Sequence, residues 1–155
     1  MTTLMLTQME ANELISMKKK FENKKQTVLN ESFEECFNLI SENKQEHFVL
    51  DMKQGKIDLK KIKYQNRFDE VIPLVRFESK GIHENPDGTI IKGPHIHIYK
   101  EGYGDKFAVP SPFNNPEDVL ESIKQFCKYC NIEETNFTYQ SINIFPKNKD
   151  NKNEN

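Results

Sequence analysis

The segment Pro94-His-Ile-His-Ile-Tyr99 decides how the central part of this 155-residue chain folds. Apolar and polar side chains alternate along it with the period of a β-strand, so Ile96 and Ile98 lie on one face. The opposite face then carries His95, His97 and Tyr99. Because burial of isoleucine stabilises a fold, we expect the isoleucines to face the hydrophobic core and the other side chains to face solvent.

Alternating segments of the same kind occur before and after this stretch. They cover residues 32–41, 46–52, 56–67, 71–78, 106–109 and 137–145. A change of phase within 56–67 predicts a β-bulge near Lys60 and Lys61. Helical spacing marks two other segments, 8–21 behind a capping box that starts at Thr7, and 115–131, which opens with an asparagine and a proline.

The order of elements is therefore helix, antiparallel strands, helix, strand. It predicts an α+β fold, with a mostly antiparallel sheet and an N-terminal helix and a C-terminal helix on one face. Two helices cover only one face of a sheet, so the other face meets water and is free to hold a functional site. We expect residues 1–145 to form one domain and the polar residues 146–155 to form a disordered tail.

Composition excludes several classes of protein. Hydrophobic residues make up 35% and aromatic residues 10% of the chain, which is too many for a wholly disordered protein. No apolar run approaches the roughly 18 residues that a membrane-spanning helix needs, so no membrane partner is expected. Three cysteines are too few for a disulfide scaffold, and no secretory signal opens the chain, so a cytoplasmic protein is expected.

The net charge of −2 means that any surface for nucleic acid must be local. Such a basic face lies between Lys53 and Arg67, where six basic residues accompany one acidic residue. Lys63, Gln65 and Arg67 share one strand face there. Arg76 follows in the next predicted strand, and the sequence contains only these two arginines.

A third histidine, His83, precedes the turn signal Asn85-Pro-Asp-Gly88. If residues 80–85 and 94–100 pair as a hairpin, this histidine approaches the two of the central segment. Histidine acts as a general base or acid near neutral pH, and arginine or lysine stabilises charge on phosphate. The pattern suggests a metal-independent endoribonuclease that needs no cofactor. In this hypothesis RNA is bound by Lys63, Gln65, Arg67 and Arg76 and cleaved by His83, His95, His97 and Tyr99.

Two other functions fit the same residues. In one, His83, His95 and His97 bind a zinc, manganese or iron ion, because imidazole is a common ligand of these metals. A cupin site is excluded, since no histidine follows His97. In the other, the protein is a non-catalytic phage or mobile-element inhibitor, anti-CRISPR-like in its role, that binds a host defence nuclease complex. An exposed sheet edge also allows a homodimer.

Three further features are interpreted as structural. His47 is expected to lie on the surface, and the lysines of residues 18–25 are expected to form the solvated end of the first helix. Cys127 and Cys130 form a CxxC pair at the end of a helix rather than at its start, where thiols are activated. Cys127 is therefore assigned to the core.

The motif Gly81-Ile-His-Glu-Asn-Pro-Asp-Gly88, followed by Pro94-His-Ile-His-Ile-Tyr-Lys-Glu-Gly102, resembles a family of small proteins from Firmicutes genomes and mobile elements. Together with the preceding Arg76, the Pro-His-x-His pattern also resembles TumE-like toxins of toxin–antitoxin pairs. The first resemblance implies a prophage or defence-island setting. The second implies action on RNA and an antitoxin as partner.

Overall fold

The computed structural model of the protein describes residues 5–23, 26–133 and 136–141. Within these ranges it contains two helices and eleven strands. They are α1 (Gln8–Ser16), β1 (Lys19–Phe21), β2 (Thr27–Asn30), β3 (Glu34–Ser41), β4 (His47–Gln54), β5 (Ile62–Phe68), β6 (Ile72–Glu78), β7 (Ile82–Glu84), β8 (Ile90–Lys92), β9 (His95–Ile98), β10 (Ala108–Pro110), α2 (Val119–Tyr129) and β11 (Phe137–Gln140). No helix in the described ranges has the length and apolar character that crossing a membrane requires.

Seven strands form one antiparallel sheet in the order β1-β3-β4-β5-β6-β9-β10. Strands β2 and β11 form a separate parallel pair, and β7 and β8 form a separate hairpin. The predicted α+β class, with a mostly antiparallel sheet and one helix near each end of the chain, is confirmed. The predicted pairing of residues 80–85 with 94–100 is wrong, because β7 pairs with β8 across the turn at Asn85–Gly88.

The hydrophobic core lies between the helices and one face of the sheet. Ala11 and Leu14 of α1 and Ile123 and Phe126 of α2 pack into the same apolar cluster as the buried strand residues. Ile96 is completely buried in that cluster and Ile98 packs against it, which confirms the predicted inward orientation of the two isoleucines. The opposite face of β9 is therefore the face that carries the histidines.

Helix α1 begins as predicted and ends earlier than predicted. Thr7 and Glu10 form the expected capping box, but the helix stops at Ser16 and not at residue 21, because Met17 adopts an extended conformation. Residues 19–21 then pair with β3 as the edge strand β1. The chain therefore enters the sheet where a helix was expected.

The segment 18–25 is not simply a solvated helix end, since the side chain of Lys19 is completely buried. Its Nζ donates hydrogen bonds to the carbonyl oxygens of Ile15, Met17 and Cys130 at 2.9, 2.8 and 2.7 Å. These carbonyls lie at the C-terminal ends of α1 and α2, where cations are favourable. Burial lowers the pKa of Lys19 to about 8. Lys24 and Lys25 lie outside the described residues.

Other boundaries differ from the sequence pattern in smaller ways. The register shift of β5 occurs at Asn66 and Arg67, whereas residues 55–61 form a turn that is closed by a hydrogen bond from Gly55 N to Lys61 O. Helix α2 is capped by the side chain of Asp118 and not by Asn115. The last strand ends at residue 140, and the expected continuation to 145 and the tail 146–155 lie outside the described residues.

Replacing Lys19 by methionine should destabilise the fold, because three buried carbonyl groups at two helix ends lose their donor. We expect the free energy of unfolding to fall by about 3 kcal/mol. Urea unfolding followed by circular dichroism measures this loss. The matched control is Lys18→Met, whose side chain is half exposed and should change stability by no more than about 0.5 kcal/mol. Equal effects of the two substitutions would contradict this role of Lys19.

Candidate functional site

The sheet face opposite the helices carries two cross-strand rows of polar side chains. Paired residues of neighbouring antiparallel strands point to the same face, so each row follows from the strand register. The first row consists of Glu34, Lys53, Lys63, Glu78 and His95. The second row consists of Cys36, Asp51, Gln65, Arg76 and His97. The first row thus ends at His95 of β9 and the second row ends at His97.

Three imidazole rings meet at this end of the sheet, and we call His83, His95 and His97 the histidine cluster. The ring centroids of His83 and His97 are 4.6 Å apart, those of His95 and His97 are 5.1 Å apart, and those of His83 and His95 are 6.0 Å apart. The structure thus brings together all three histidines that the sequence selected, although the third arrives on a separate hairpin.

The expectation that the rings of β9 face solvent is wrong. His95 and His97 are only 2% and 1% exposed, whereas His83 is partly exposed. The hairpin β7–β8 covers them, and its Asn85 side chain exchanges two hydrogen bonds with the backbone of Ala108 in β10. The cluster is therefore the floor of a covered site and not an open surface.

Each ring of the cluster is fixed by a hydrogen bond to a backbone carbonyl. Nδ1 of His95 lies 2.8 Å from the carbonyl oxygen of Gly93, and Nδ1 of His97 lies 2.9 Å from that of Asp105. Nε2 of His83 lies 2.7 Å from the carbonyl oxygen of Lys106. A carbonyl only accepts, so each of these nitrogens carries the proton. The second nitrogen of each neutral ring then presents a lone pair.

Charged side chains surround His97 on its more open side. Arg76 donates from Nε to Glu78 Oε2 at 3.0 Å and from Nη1 to Asp105 Oδ2. Its Nη2 lies 3.2 Å from Nε2 of His97, and Glu78 Oε2 lies 3.6 Å from the same nitrogen. Burial, reinforced by the Arg76 guanidinium, lowers the pKa of His97 to about 4. His97 is therefore a neutral hydrogen-bond acceptor at pH 7.

Glu78, His95 and His97 form a set that could hold a metal ion. One donor atom from each residue lies within 4.8 Å of the other two. Two imidazoles and one carboxylate are a common ligand set for zinc and for non-haem iron. Metal-binding histidines usually donate their second ring N–H to a carbonyl or carboxylate, as both histidines do here.

Tyr99 lies away from the histidine cluster. The strand ends at Ile98, and the tyrosine ring packs in the hydrophobic core on the helix side. Its hydroxyl accepts from Leu6 N at 2.8 Å and donates to Leu6 O at 2.9 Å, which fixes the chain just before α1. The regular alternation predicted through residue 99 stops one residue early, because burying the phenol there satisfies both its apolar ring and its hydroxyl.

The residues predicted to bind RNA are divided between two places. Arg76 contacts the histidine cluster, while Lys63 and Gln65 lie one strand away on the same face. Arg67 instead binds both carboxylate oxygens of Asp51, from Nε at 2.6 Å and from Nη2 at 3.0 Å. The Arg67 guanidinium is thus directed to Asp51 and, through Nη1, to the carbonyl oxygen of Glu70, whereas Arg76 is the arginine that contacts His97.

Sequence reasoning missed three carboxylates that define the electrostatics of this face. Glu78 shares its strand face with Arg76, and Asp51 stands opposite the apolar residues of β4, so strand parity alone could have selected both. Asp105 comes from a turn that folds back onto β9. Nothing in the local pattern indicates that this turn approaches Arg76.

These features define an α+β protein with a covered histidine and carboxylate site on the helix-free face of its sheet. The chain belongs to DUF6978, a family of unknown function, whose model matches residues 6–132. The matched segment includes the histidine cluster, Arg76, Glu78 and Asp105. No curated protein and no solved structure matches the chain.

The low pKa of His97 predicts a specific loss of stability in acid. An unfolded histidine titrates near 6.5, so between pH 6.5 and about 4 the unfolded chain binds a proton that the folded protein excludes. Stability should be unaffected by this group above pH 6.5 and should fall by about 3 kcal/mol as the pH approaches 4. Urea unfolding of EDTA-treated protein between pH 7 and pH 4.5 measures the fall.

The substitution His97→Gln removes the titrating group and should make the acid-induced loss smaller. His47→Gln changes an exposed histidine and serves as the control, with the same pH dependence as the unsubstituted protein. Identical pH profiles for all three proteins would contradict the assignment.

Proposed function

We propose that the protein is a metalloprotein in which Glu78, His95 and His97 bind one divalent transition-metal ion. The observation that carries this proposal is the fixing of both imidazoles by backbone carbonyls beside a carboxylate. Such fixing orients each ring and places the proton on Nδ1, so that Nε2 is the nitrogen left to bind a metal. His83 stands beside the set as a third imidazole.

The site has the composition of a reactive centre rather than of a closed structural one. Structural zinc sites are closed by four protein ligands, whereas three protein ligands leave positions for water or substrate. Charged side chains surround the set, and solvent reaches them, since those of Arg76 and Asp105 are 25% and 27% exposed. A metal there would act as a Lewis acid, and the Arg76 guanidinium would orient an anionic group of the substrate.

Metal titration tests the proposal directly. We expect the purified, EDTA-treated protein to bind one equivalent of Zn²⁺ or Co²⁺ in calorimetry, with Co²⁺ giving visible absorption bands typical of nitrogen and oxygen ligands. His95→Ala and His97→Ala should each weaken binding about a hundredfold or more, because each removes a ligand. Glu78→Gln should weaken it less, since the amide oxygen remains a neutral ligand.

The control for this titration is His47→Ala, which removes an exposed histidine outside the site and should leave the affinity unchanged. Circular dichroism establishes that each variant is folded. Metal binding that survives removal of both His95 and His97 in a folded protein, or its absence from the unsubstituted protein, would overturn the proposal.

A second candidate function is metal-independent cleavage of RNA by the same cluster. The position of His97 favours it, because its Nε2 lies 3.2 Å from the guanidinium of Arg76, so a base and a cation would stand together at a bound phosphate. In this case His97 is the base, and Arg76 stabilises the charge that develops on phosphorus. The covering hairpin would have to move to admit RNA, since the ring is 1% exposed.

Chelation separates the two candidates. Incubation with RNA should give cleavage that persists in EDTA and disappears in His97→Gln if the second candidate holds. Cleavage that requires added metal supports the first candidate, and cleavage unaffected by His97→Gln excludes this site as the source of the activity.

A further inference from the structure

A groove at the far end of the first row carries a positive charge that the metal site does not use. It has a volume of about 610 Å³ and its lining includes Lys53, Lys56, Ile57, Lys61 and Lys63. All four lysines are exposed, and none of them forms an ion pair in the part of the chain that the structure describes. We refer to these lysines and Ile57 as the lysine groove.

Two of the lysines are held against each other by the sheet itself. Lys53 and Lys63 are direct cross-strand partners in β4 and β5, and like charges in this relation destabilise a sheet. Glu34 and Glu78 are the outer cross-strand neighbours of the two lysines and offset part of this repulsion. The groove still keeps a net positive charge, because its four lysines outnumber its two acidic residues and Asp58 is paired with Lys80 at 2.7 Å. An anion bound between the two strands relieves the repulsion.

The groove also contains an apolar group with no partner in the fold. Ile57 lies at the turn between β4 and β5 and its side chain is fully exposed, at 102%. Such a side chain among four ammonium groups offers apolar contact to a flat or hydrophobic part of an otherwise anionic ligand. A nucleic acid has both parts, phosphates for the lysines and a base for the isoleucine, and the flat face of a base is accessible only when the base is unstacked, as in a single strand.

We propose that the lysine groove binds the backbone of single-stranded nucleic acid, with phosphates held by Lys53, Lys56, Lys61 and Lys63 and a base against Ile57. The groove adjoins the metal set but shares no residue with it. Lys63 is the cross-strand partner of Glu78, and its strand lies two strand spacings, about 10 Å, from the strand of His95. A bound nucleic-acid strand that leaves the groove across β5 would pass towards the histidine cluster.

Fluorescence anisotropy with labelled 16-nucleotide single-stranded RNA and DNA tests this proposal, with EDTA present so that the metal site plays no part. We expect binding by the unsubstituted protein that weakens as salt rises from 50 to 200 mM. The double substitution Lys53→Glu with Lys63→Glu should weaken binding at least tenfold and lower the salt slope by about 1.4, the value for two lost phosphate contacts on a single strand.

The matched control is Lys124→Glu with Lys128→Glu on α2, which changes the net charge equally on the opposite face. It should change the affinity by less than about twofold, apart from the weak long-range effect of charge. The double substitution Lys56→Gln with Lys61→Gln lies in the turn and leaves β4 and β5 unchanged. It removes two of the proposed phosphate contacts, so it should also weaken nucleic-acid binding. Ile57→Ser should weaken single-strand binding without changing the salt slope.

Equal weakening by the groove and control pairs, tighter binding of duplex than of single strands, or no binding at 50 mM salt would overturn the proposal. The outcome is independent of the metal site. His95→Ala should retain nucleic-acid binding in EDTA, so loss of metal binding and loss of groove binding are distinguishable.

Discussion

The antiparallel pairing of β6 with β9 is the interaction on which the whole site depends. It places Arg76 opposite His97 and Glu78 opposite His95, so one guanidinium, two imidazoles and one carboxylate are neighbours on one sheet face. The same pairing buries Phe77 and Ile96 on the other face, and core packing therefore enforces the arrangement. A one-residue slip would exchange the two faces and would cost the burial of both apolar side chains.

Burial changes what the histidines can do. Two solvent-facing imidazoles would titrate near neutral pH and would serve equally as acid and base. Under the hairpin β7–β8, His97 is instead kept neutral, and its orientation is set by a carbonyl of the turn after β9. Covered by the hairpin, His97 cannot serve as a general acid near neutral pH, but its unprotonated nitrogen keeps a fixed position. This favours metal binding over proton transfer, because a metal ligand must stay unprotonated whereas a general acid–base residue must gain and lose a proton.

Strand periodicity predicted most of the sheet and the side of it that carries the site. Ile96 and Ile98 behaved as the alternation requires, and the helix-free face holds the polar groups. The pattern failed where tertiary contacts outweigh local preference. Lys19 is buried because two helix ends converge on its ammonium group, and Tyr99 is turned into the core by the backbone of Leu6. Cys130 and Leu6 are distant in sequence from Lys19 and Tyr99, so no local pattern could reveal these two contacts.

The distribution of charge over the helix-free face separates two kinds of binding. Around His97 the single arginine is engaged by two carboxylates, Glu78 and Asp105, so the net charge of these side chains is negative and a metal cation is tolerated. At the other end of the first row, Lys53 and Lys63 are cross-strand neighbours and the four lysines of the groove outnumber its two acidic residues, so an anion is favoured. Both ends lie on the same sheet, and the backbone ladder fixes their separation at about two strand spacings. A long anionic ligand can therefore contact both ends at once. A small ligand contacts one end only, which is the lysine end for an anion and the end at His97 for a cation.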